Sequence, residues 1–209
     1  QTGGYKIILQ DIDKSIVEAA FDKIEKNLDN FWVLKGKITS KERDEILGRI
    51  TGTTHLEEMK NADYVIEAVA EKLELKLEIF RKLDELCSEN VILATNTSGI
   101  SITKIASVTR RPQKVIGMHF SNPVQVMRRL EIVKGLETSE ETSRVVMEVG
   151  RKMGKEPRLT KKDYPGFTGN RLFPLYVNEA FNLRVQGIAT AEDIDEGIRE
   201  FRRFQGKQK

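Results

Sequence analysis

The sequence predicts an α/β protein whose core is a mostly parallel, doubly wound sheet. Two observations carry that prediction. Short apolar runs alternate along the chain with longer stretches in which apolar residues recur every three or four positions, the order expected of βαβ units. From about Asp163 the alternation stops and two helical patterns follow without an intervening strand.

Taken in order, "GYKIILQ" gives a strand over Tyr5–Gln10 that ends at Asp11. Ile16, Ala20, Ile24, Leu28 and Phe31 then mark one face of a helix. "KGKITS" is a turn, Ser40 caps a short helix running to Ile46, and "RITGTT" is a strand. "ADYVIEAV" reads as a buried strand. Leu73, Leu77, Phe80, Leu83 and Cys87 follow on one helix face. "NVILATNTS", "KVIGMHF" and "RRLEIVKG" are three further strands with their exit loops. In "TSEETSRVVMEVGRKMG", Thr138 with Glu141 reads as a capping box, and Gly154 stands where a helix-ending glycine belongs. "EPRLTK" is a short strand. Beyond it, "DYPGFTGNRLFPLYVNEAFNLRVQG" is a long helix with Phe173, Tyr176, Val177, Ala180 and Phe181 inward, and Thr190 caps a last helix. The change of pattern puts a domain boundary near Lys161, giving regions 1–161 and 162–209.

Composition narrows the class. At 209 residues the chain holds one good-sized domain or one plus part of another. Charges are mixed, the formal net charge is only +3, and basic residues form no long run, which argues against a nucleic-acid partner. A single cysteine, Cys87, excludes an internal disulfide and argues against a cysteine-based metal site. No apolar stretch approaches the roughly 20 residues of a membrane span, so the setting expected is cytoplasmic.

In a doubly wound sheet, ligands gather at the carboxyl ends of the strands. The polar residues of interest fall there. Asp11 ends the first strand, at the position of an acid that holds an adenosine ribose. Glu67 and Glu71 flank the end of "DYVIEAV". Asn96, Thr97 and Ser98 end "VILAT". His119 ends "KVIGMHF", Asn122 follows, and Glu131 lies in the next strand. A strand, a turn and a neighbouring strand can bring His119 beside Glu131. A carboxylate on one ring nitrogen sets the tautomer and leaves the other nitrogen as a base, as oxidation of an alcohol requires. Plainer readings stand beside these: Asp11 as a helix cap, Glu131 as a solvated strand residue, His119 as a structural histidine, and "NTS" as a glycosylation triplet.

Together the motifs resemble one family. "GMHFSNPVQVMRRLEIV" is similar to the signature of the 3-hydroxyacyl-CoA dehydrogenases, in which the histidine of H-F-x-N-P is followed twelve residues later by a glutamate. "VIEAVAEKLELKLEIFRKLD", "NTSGISITKIA", "GFTGNRLF" and "AEDIDEGIR" resemble further family segments in the same order. The resemblance implies a Rossmann-like NAD-binding domain followed by part of an all-helical domain. It implies NAD as cofactor, and an acyl-CoA as substrate, oxidised reversibly from (3S)-3-hydroxyacyl-CoA to 3-oxoacyl-CoA. Position by position it implies His119 as base and Glu131 as its orienting carboxylate. Ser98 and Asn170 become donors to the reacting oxygen, and Asn122 a support for His119 and the nicotinamide. Asp11 falls on the ribose hydroxyls, Glu71, Lys76 and Asn96 near the cofactor, and Lys35 and Lys37 at the phosphates of coenzyme A.

The resemblance also implies a strand and a G-x-G-x-M-G loop ahead of Gln1, and further helices that make a homodimer. "EFRRFQGKQK" resembles no family segment, and a fusion to an enoyl-CoA hydratase domain in the parent protein stays open. Two other readings remain at this point: a catalytically silent structural or binding relative or a truncated fragment, since a lens crystallin shares the fold, and another β-hydroxyacid dehydrogenase. H-F-x-N-P speaks against the latter, because those enzymes commonly use a lysine base.

Overall fold

The strands and helices follow from the apolar spacing, with capping residues deciding where each helix begins. The computed structural model describes residues 4–206. Strand β1 (Ile7–Gln10) leads into helix α1 (Lys14–Leu28). Asp13, not Asp11, is the cap, its carboxylate accepting from the Ser15 amide at 2.7 Å. One π-helical turn, Asp29–Val33, extends α1. Helix α2 (Ser40–Leu47) is capped one residue earlier than the sequence suggested. The Thr39 hydroxyl accepts from the Glu42 amide (3.2 Å) and the Glu42 carboxylate from the Thr39 amide (2.7 Å), a reciprocal box that Ser40 cannot make from inside the helix. Strand β2 (Ile50–Thr53) runs parallel to β1, with Ile7 opposite Ile50.

The larger sheet is built from β3 (Tyr64–Glu67), β4 (Ile92–Thr95), β5 (Val115–Phe120), β6 (Arg129–Lys134) and β7 (Glu156–Thr160), in that spatial order. Strands β3, β4 and β5 are parallel, β6 is antiparallel to β5, and β7 is parallel to β6. Helices α3 (Leu73–Leu86), α4 (Ile102–Ala106) and α5 (Glu140–Lys152) make the connections. Ala94, Ile116, Met118, Leu130, Ile132 and Val146 are fully buried in one cluster, each large apolar side chain contributing about 1.5–3 kcal/mol by leaving water.

One local expectation changes. Helix α5 is capped by Ser139, whose hydroxyl accepts from the Thr142 amide at 3.0 Å. Thr138 is occupied elsewhere: its hydroxyl donates to the Val115 carbonyl (2.6 Å) and accepts from the Gly135 amide (2.8 Å), tying the helix entry to β5. The β1–β2 pair forms a sheet of its own, not hydrogen-bonded to β3–β7. The strand that the resemblance places ahead of Gln1 would belong between β1 and β3. Gly154 takes φ +74°, the left-handed conformation a helix-ending glycine supplies.

The chain divides into two compact units, Gln1–Pro165 and Gly166–Lys209. The first extends past β7 because the Asp163 carboxylate accepts from the Ser101 hydroxyl (2.5 Å) and the Thr103 amide (2.8 Å) at the start of α4. The second holds α6 (Gly169–Val185) and α7 (Ala191–Gly206), the latter capped by Thr190 as the sequence predicts. In α6 the half-buried apolar residues are Val177, Ala180 and Leu183, whereas Phe173, Tyr176 and Phe181 are exposed. Two helices shield only one stripe of each other, so the wide inward face the sequence suggested is covered in part. Among the described residues no helix is long and apolar enough to cross a membrane.

Candidate active site

Parallel pairing of β3, β4 and β5 sets their carboxyl ends side by side, which is where a site can be assembled from short loops. Glu67 pairs with Thr95, and Thr95 with Gly117, two residues before His119. The antiparallel turn to β6 then brings Glu131 directly opposite His119. His119 Nδ1 lies 3.7 Å from Glu131 Oε2, within ion-pair reach and longer than a hydrogen bond. Glu131 is buried, and the Thr160 hydroxyl on β7 donates to its Oε1 at 2.9 Å. The Arg129 guanidinium lies 3.6 Å from its other oxygen. A buried carboxylate needs such partners. Nothing in "EPRLTK" marks Thr160 as a threonine that faces a neighbouring strand.

Ser98 sits in a turn after β4 organised by two side chains. Glu71 Oε1 accepts from the Ser98 amide (2.8 Å) and the Thr97 hydroxyl (2.5 Å), and the Thr97 hydroxyl accepts from the Ile100 amide (2.9 Å). Burial pushes the Glu71 carboxyl up, but the Thr97 and Ser98 hydrogen bonds and the Lys76 ammonium outweigh it and hold it below the ordinary glutamate value. Asn96 also serves the scaffold: its backbone N–H donates to the Glu67 carbonyl (2.7 Å) and its side-chain oxygen accepts from the Phe120 amide (3.0 Å). It thus braces the end of β5 against the exit of β4.

Lys76 lies deeper than its sequence role near the cofactor implied. It has no exposed surface, and its ammonium donates to Glu67 Oε1 at 2.7 Å and lies 3.5 Å from Glu71 Oε2. Lys35 and Lys37 ride over the rings of Phe31 and Trp32, 5.4 and 5.1 Å from their centroids. They line a cavity of about 800 Å³ together with Trp32, Arg49, Phe120 and Lys155. Asn122, in a cis peptide bond to Pro123, begins the loop between β5 and β6. That loop is held by Lys155, whose ammonium donates to the carbonyls of Val124 and Met127. Desolvation pulls the Lys155 ammonium below the usual lysine value. Asn170 lies in the first turn of α6, in the second unit.

The profile of the 3-hydroxyacyl-CoA dehydrogenase NAD-binding domain matches residues 1–164, and that of the family's C-terminal domain matches residues 166–203. The chain belongs to the 3-hydroxyacyl-CoA dehydrogenase family. It is 44% identical over 193 residues to a probable 3-hydroxybutyryl-CoA dehydrogenase of Bacillus subtilis, covering 92% of this chain and 67% of that protein. To the 3-hydroxybutyryl-CoA dehydrogenase of Clostridioides difficile it is 40% identical over 196 residues, 94% of this chain and 69% of that one. Among solved structures, the (S)-3-hydroxybutyryl-CoA dehydrogenase of Ralstonia eutropha superimposes with a TM-score of 0.88 at 40% identity, over 95% of this chain and 69% of that one. The chain therefore spans about two thirds of these relatives' length. The C-terminal profile reaches residue 203, into the tail that resembled no family segment in the sequence.

This dehydrogenase is an NAD-dependent oxidoreductase, and the residues present suit that cofactor. Asp11 closes a parallel strand at its carboxyl end and is not consumed as the α1 cap. A carboxylate there can accept from ribose hydroxyls, and it repels a 2′-phosphate.

Proposed function

We propose that the protein interconverts (3S)-3-hydroxyacyl-CoA and 3-oxoacyl-CoA with His119 as base, and that its substrates are short acyl chains such as 3-hydroxybutyryl-CoA. The observation that carries the reading is the pairing of His119 with a buried, hydrogen-bonded Glu131 across β5 and β6. The short-chain preference rests on the names of the Bacillus and Clostridioides relatives.

When bound, NAD supplies the hydride acceptor at the substrate's C3. Everything else falls to the chain. Glu131 faces Nδ1 of His119, so Nε2 is the atom that takes the substrate hydroxyl proton, and Glu131 stabilises the imidazolium that results. The 3.7 Å separation closes to a hydrogen bond as the ring is protonated. Ser98, fixed by Glu71 through its amide, and Asn170 donate to the oxygen on which negative charge develops. Asn122 supports His119 and the nicotinamide. Asp11 holds the adenosine ribose and Glu71 the nearby part of the cofactor. Lys35 and Lys37 meet coenzyme A phosphates from the cavity wall. A homodimer formed through the helical unit, in the cytoplasm, belongs to the same proposal; the exposed aromatic residues of α6 support it.

The test is NADH-dependent reduction of acetoacetyl-CoA by wild type and His119→Gln. Turnover falls about 10²–10⁴-fold in the variant, with an unchanged circular dichroism spectrum. Near-normal turnover in a folded variant overturns the assignment.

A further inference from the structure

Below the proposed site lies a buried charged group that the mechanism above does not use. Glu67, at the end of β3, is 4% exposed, and both its carboxylate oxygens are committed. Oε1 accepts from the Lys76 ammonium and the Val69 amide, both at 2.7 Å, and Oε2 accepts from the Thr95 hydroxyl at 2.7 Å. Lys76 is 0% exposed, so its three N–H donors need partners inside the protein. Glu67 meets one closely. The Val69 carbonyl at 3.4 Å and Glu71 Oε2 at 3.5 Å stand at the limit of contact.

Two carboxylates thus share one cation unequally. Glu67 neutralises Lys76 at short range, and Glu71 is left only loosely drawn to it. That leaves the other oxygen of Glu71 aligned on the Ser98 amide and the Thr97 hydroxyl. Were the charge on Glu67 lost, the buried ammonium would have one remaining anion within reach. Closing the 3.5 Å gap would rotate the Glu71 carboxylate and draw it off the turn that carries Ser98.

We infer that Glu67 is a positioning residue of the reaction, acting through Lys76 to keep Glu71 on the Ser98 amide. The inference rests on the reading of Ser98 as a donor to the reacting oxygen. It also gives Lys76 a role that matches its burial: a charge held in place beneath the site.

The experiment uses Glu67→Gln, Glu67→Gln/Lys76→Met and Ser98→Ala in the otherwise unaltered protein, with amide exchange followed by NMR and acetoacetyl-CoA reduction by kinetics. In Glu67→Gln, exchange at the Ser98 amide rises by about tenfold or more while the Leu93 and Ala94 amides of β4 keep their wild-type rates. The kcat falls by about tenfold with little change in KM for acetoacetyl-CoA, the pattern of an interaction lost in the transition state. In the double variant, where no buried ammonium competes for Glu71, wild-type protection returns at Ser98. An unchanged Ser98 amide in Glu67→Gln overturns the inference. So does an exposed Ser98 amide with full kcat. So does failure of the double variant to restore protection, since Glu67 would then act through Thr95 and not through Lys76. If Glu67→Gln does not fold, the double variant decides alone: folded and protected at Ser98 supports the inference, and unfolded or unprotected overturns it. The exchange measurement does not depend on what Ser98 does in the reaction. Full turnover in Ser98→Ala would overturn the functional reading instead.

Discussion

The partners of Glu131 divide into those the sequence announces and those it hides. The twelve-residue spacing from His119 reads directly as strand, turn and returning strand, and the register places the two residues opposite each other. Thr160 is different. It comes from β7, twenty-nine positions away, and donates to Glu131 Oε1 at 2.9 Å. No local pattern marks it. Thr160→Val keeps the shape and removes the donor, taking one hydrogen bond from a buried carboxylate. The expected cost is about 1–3 kcal/mol in unfolding free energy. A fall in kcat of about tenfold should accompany it, as Glu131 loses its fixed aim at Nδ1. Denaturant unfolding and steady-state kinetics check both, and a variant with wild-type stability and turnover would show that Thr160 does not anchor the pair. Lys76 makes the complementary point. A lysine on an amphipathic helix reads as solvated or ligand-facing even between Leu75 and Leu77, and only tertiary packing shows it to be buried against Glu67.

At the scale of elements, the strands and helices were legible because apolar spacing is a local property, while their caps were legible only in part. Thr138 and Ser139 both fit the local signature at the start of α5. A carbonyl on β5 takes up Thr138, so Ser139 becomes the cap. The end of α3 shows the same dependence on distant residues. The Asp84 carboxylate accepts from the Arg110 amide (3.0 Å) and from Arg111 Nε (2.7 Å), and the Arg111 guanidinium also reaches the carbonyls of Asp84, Cys87 and Ser88. Burial pushes the Asp84 carboxyl up, but the hydrogen bonds from Arg110 and Arg111 overcome this and leave it below the ordinary aspartate value. A depressed carboxylate means that the unfolded chain binds the proton more readily than the folded one. Stability from Asp84 is therefore fully present above the unfolded value near pH 4 and is lost as pH falls through the lower folded value. Asp84→Asn leaves Arg111 buried without its counter-charge and should cost about 3 kcal/mol at neutral pH. The gap between wild type and variant should narrow as unfolding is measured from about pH 5 down toward pH 3. A gap independent of pH would mean that Asp84 contributes by shape alone. Close packing of α4 on the sheet gives a second test. A Cβ on Gly117 would stand 2.9 Å from Ile102 Cδ1 and 3.0 Å from Val133 Cβ. Gly117→Ala should therefore destabilise by about 1–3 kcal/mol through overpacking, measured by denaturant unfolding; no loss would mean that α4 can move away from β5.

For a polypeptide of these 209 residues, the division of the sheet sets the order in which parts open. Leu93, Ala94, Ile116, Met118, Leu130 and Ile132 have no exposed surface, and they come from three adjacent strands whose amides are paired on both sides. The β1–β2 pair has no such neighbours among the described residues, and Ile7 within it is 41% exposed. A two-stranded sheet has little stability of its own, and what holds this one is the packing of α1, where Val17 and Phe21 close over Gly52. Opening β1–β2 exposes far less apolar surface than opening β4–β6, so it needs less free energy. Hydrogen exchange read by mass spectrometry should then show two classes. Peptides covering 92–95, 115–120 and 129–134 should exchange only at the rate of global unfolding, while those covering 7–10 and 50–53 should exchange orders of magnitude faster. Cofactor binding is expected to narrow that difference, because Asp11 lies at the end of β1 and a ligand that binds only the closed form stabilises it by mass action. Equal protection of β1 and β4 without cofactor would mean that the two sheets unfold as one unit. The β1–β2 pair would then be preformed and not ordered by cofactor.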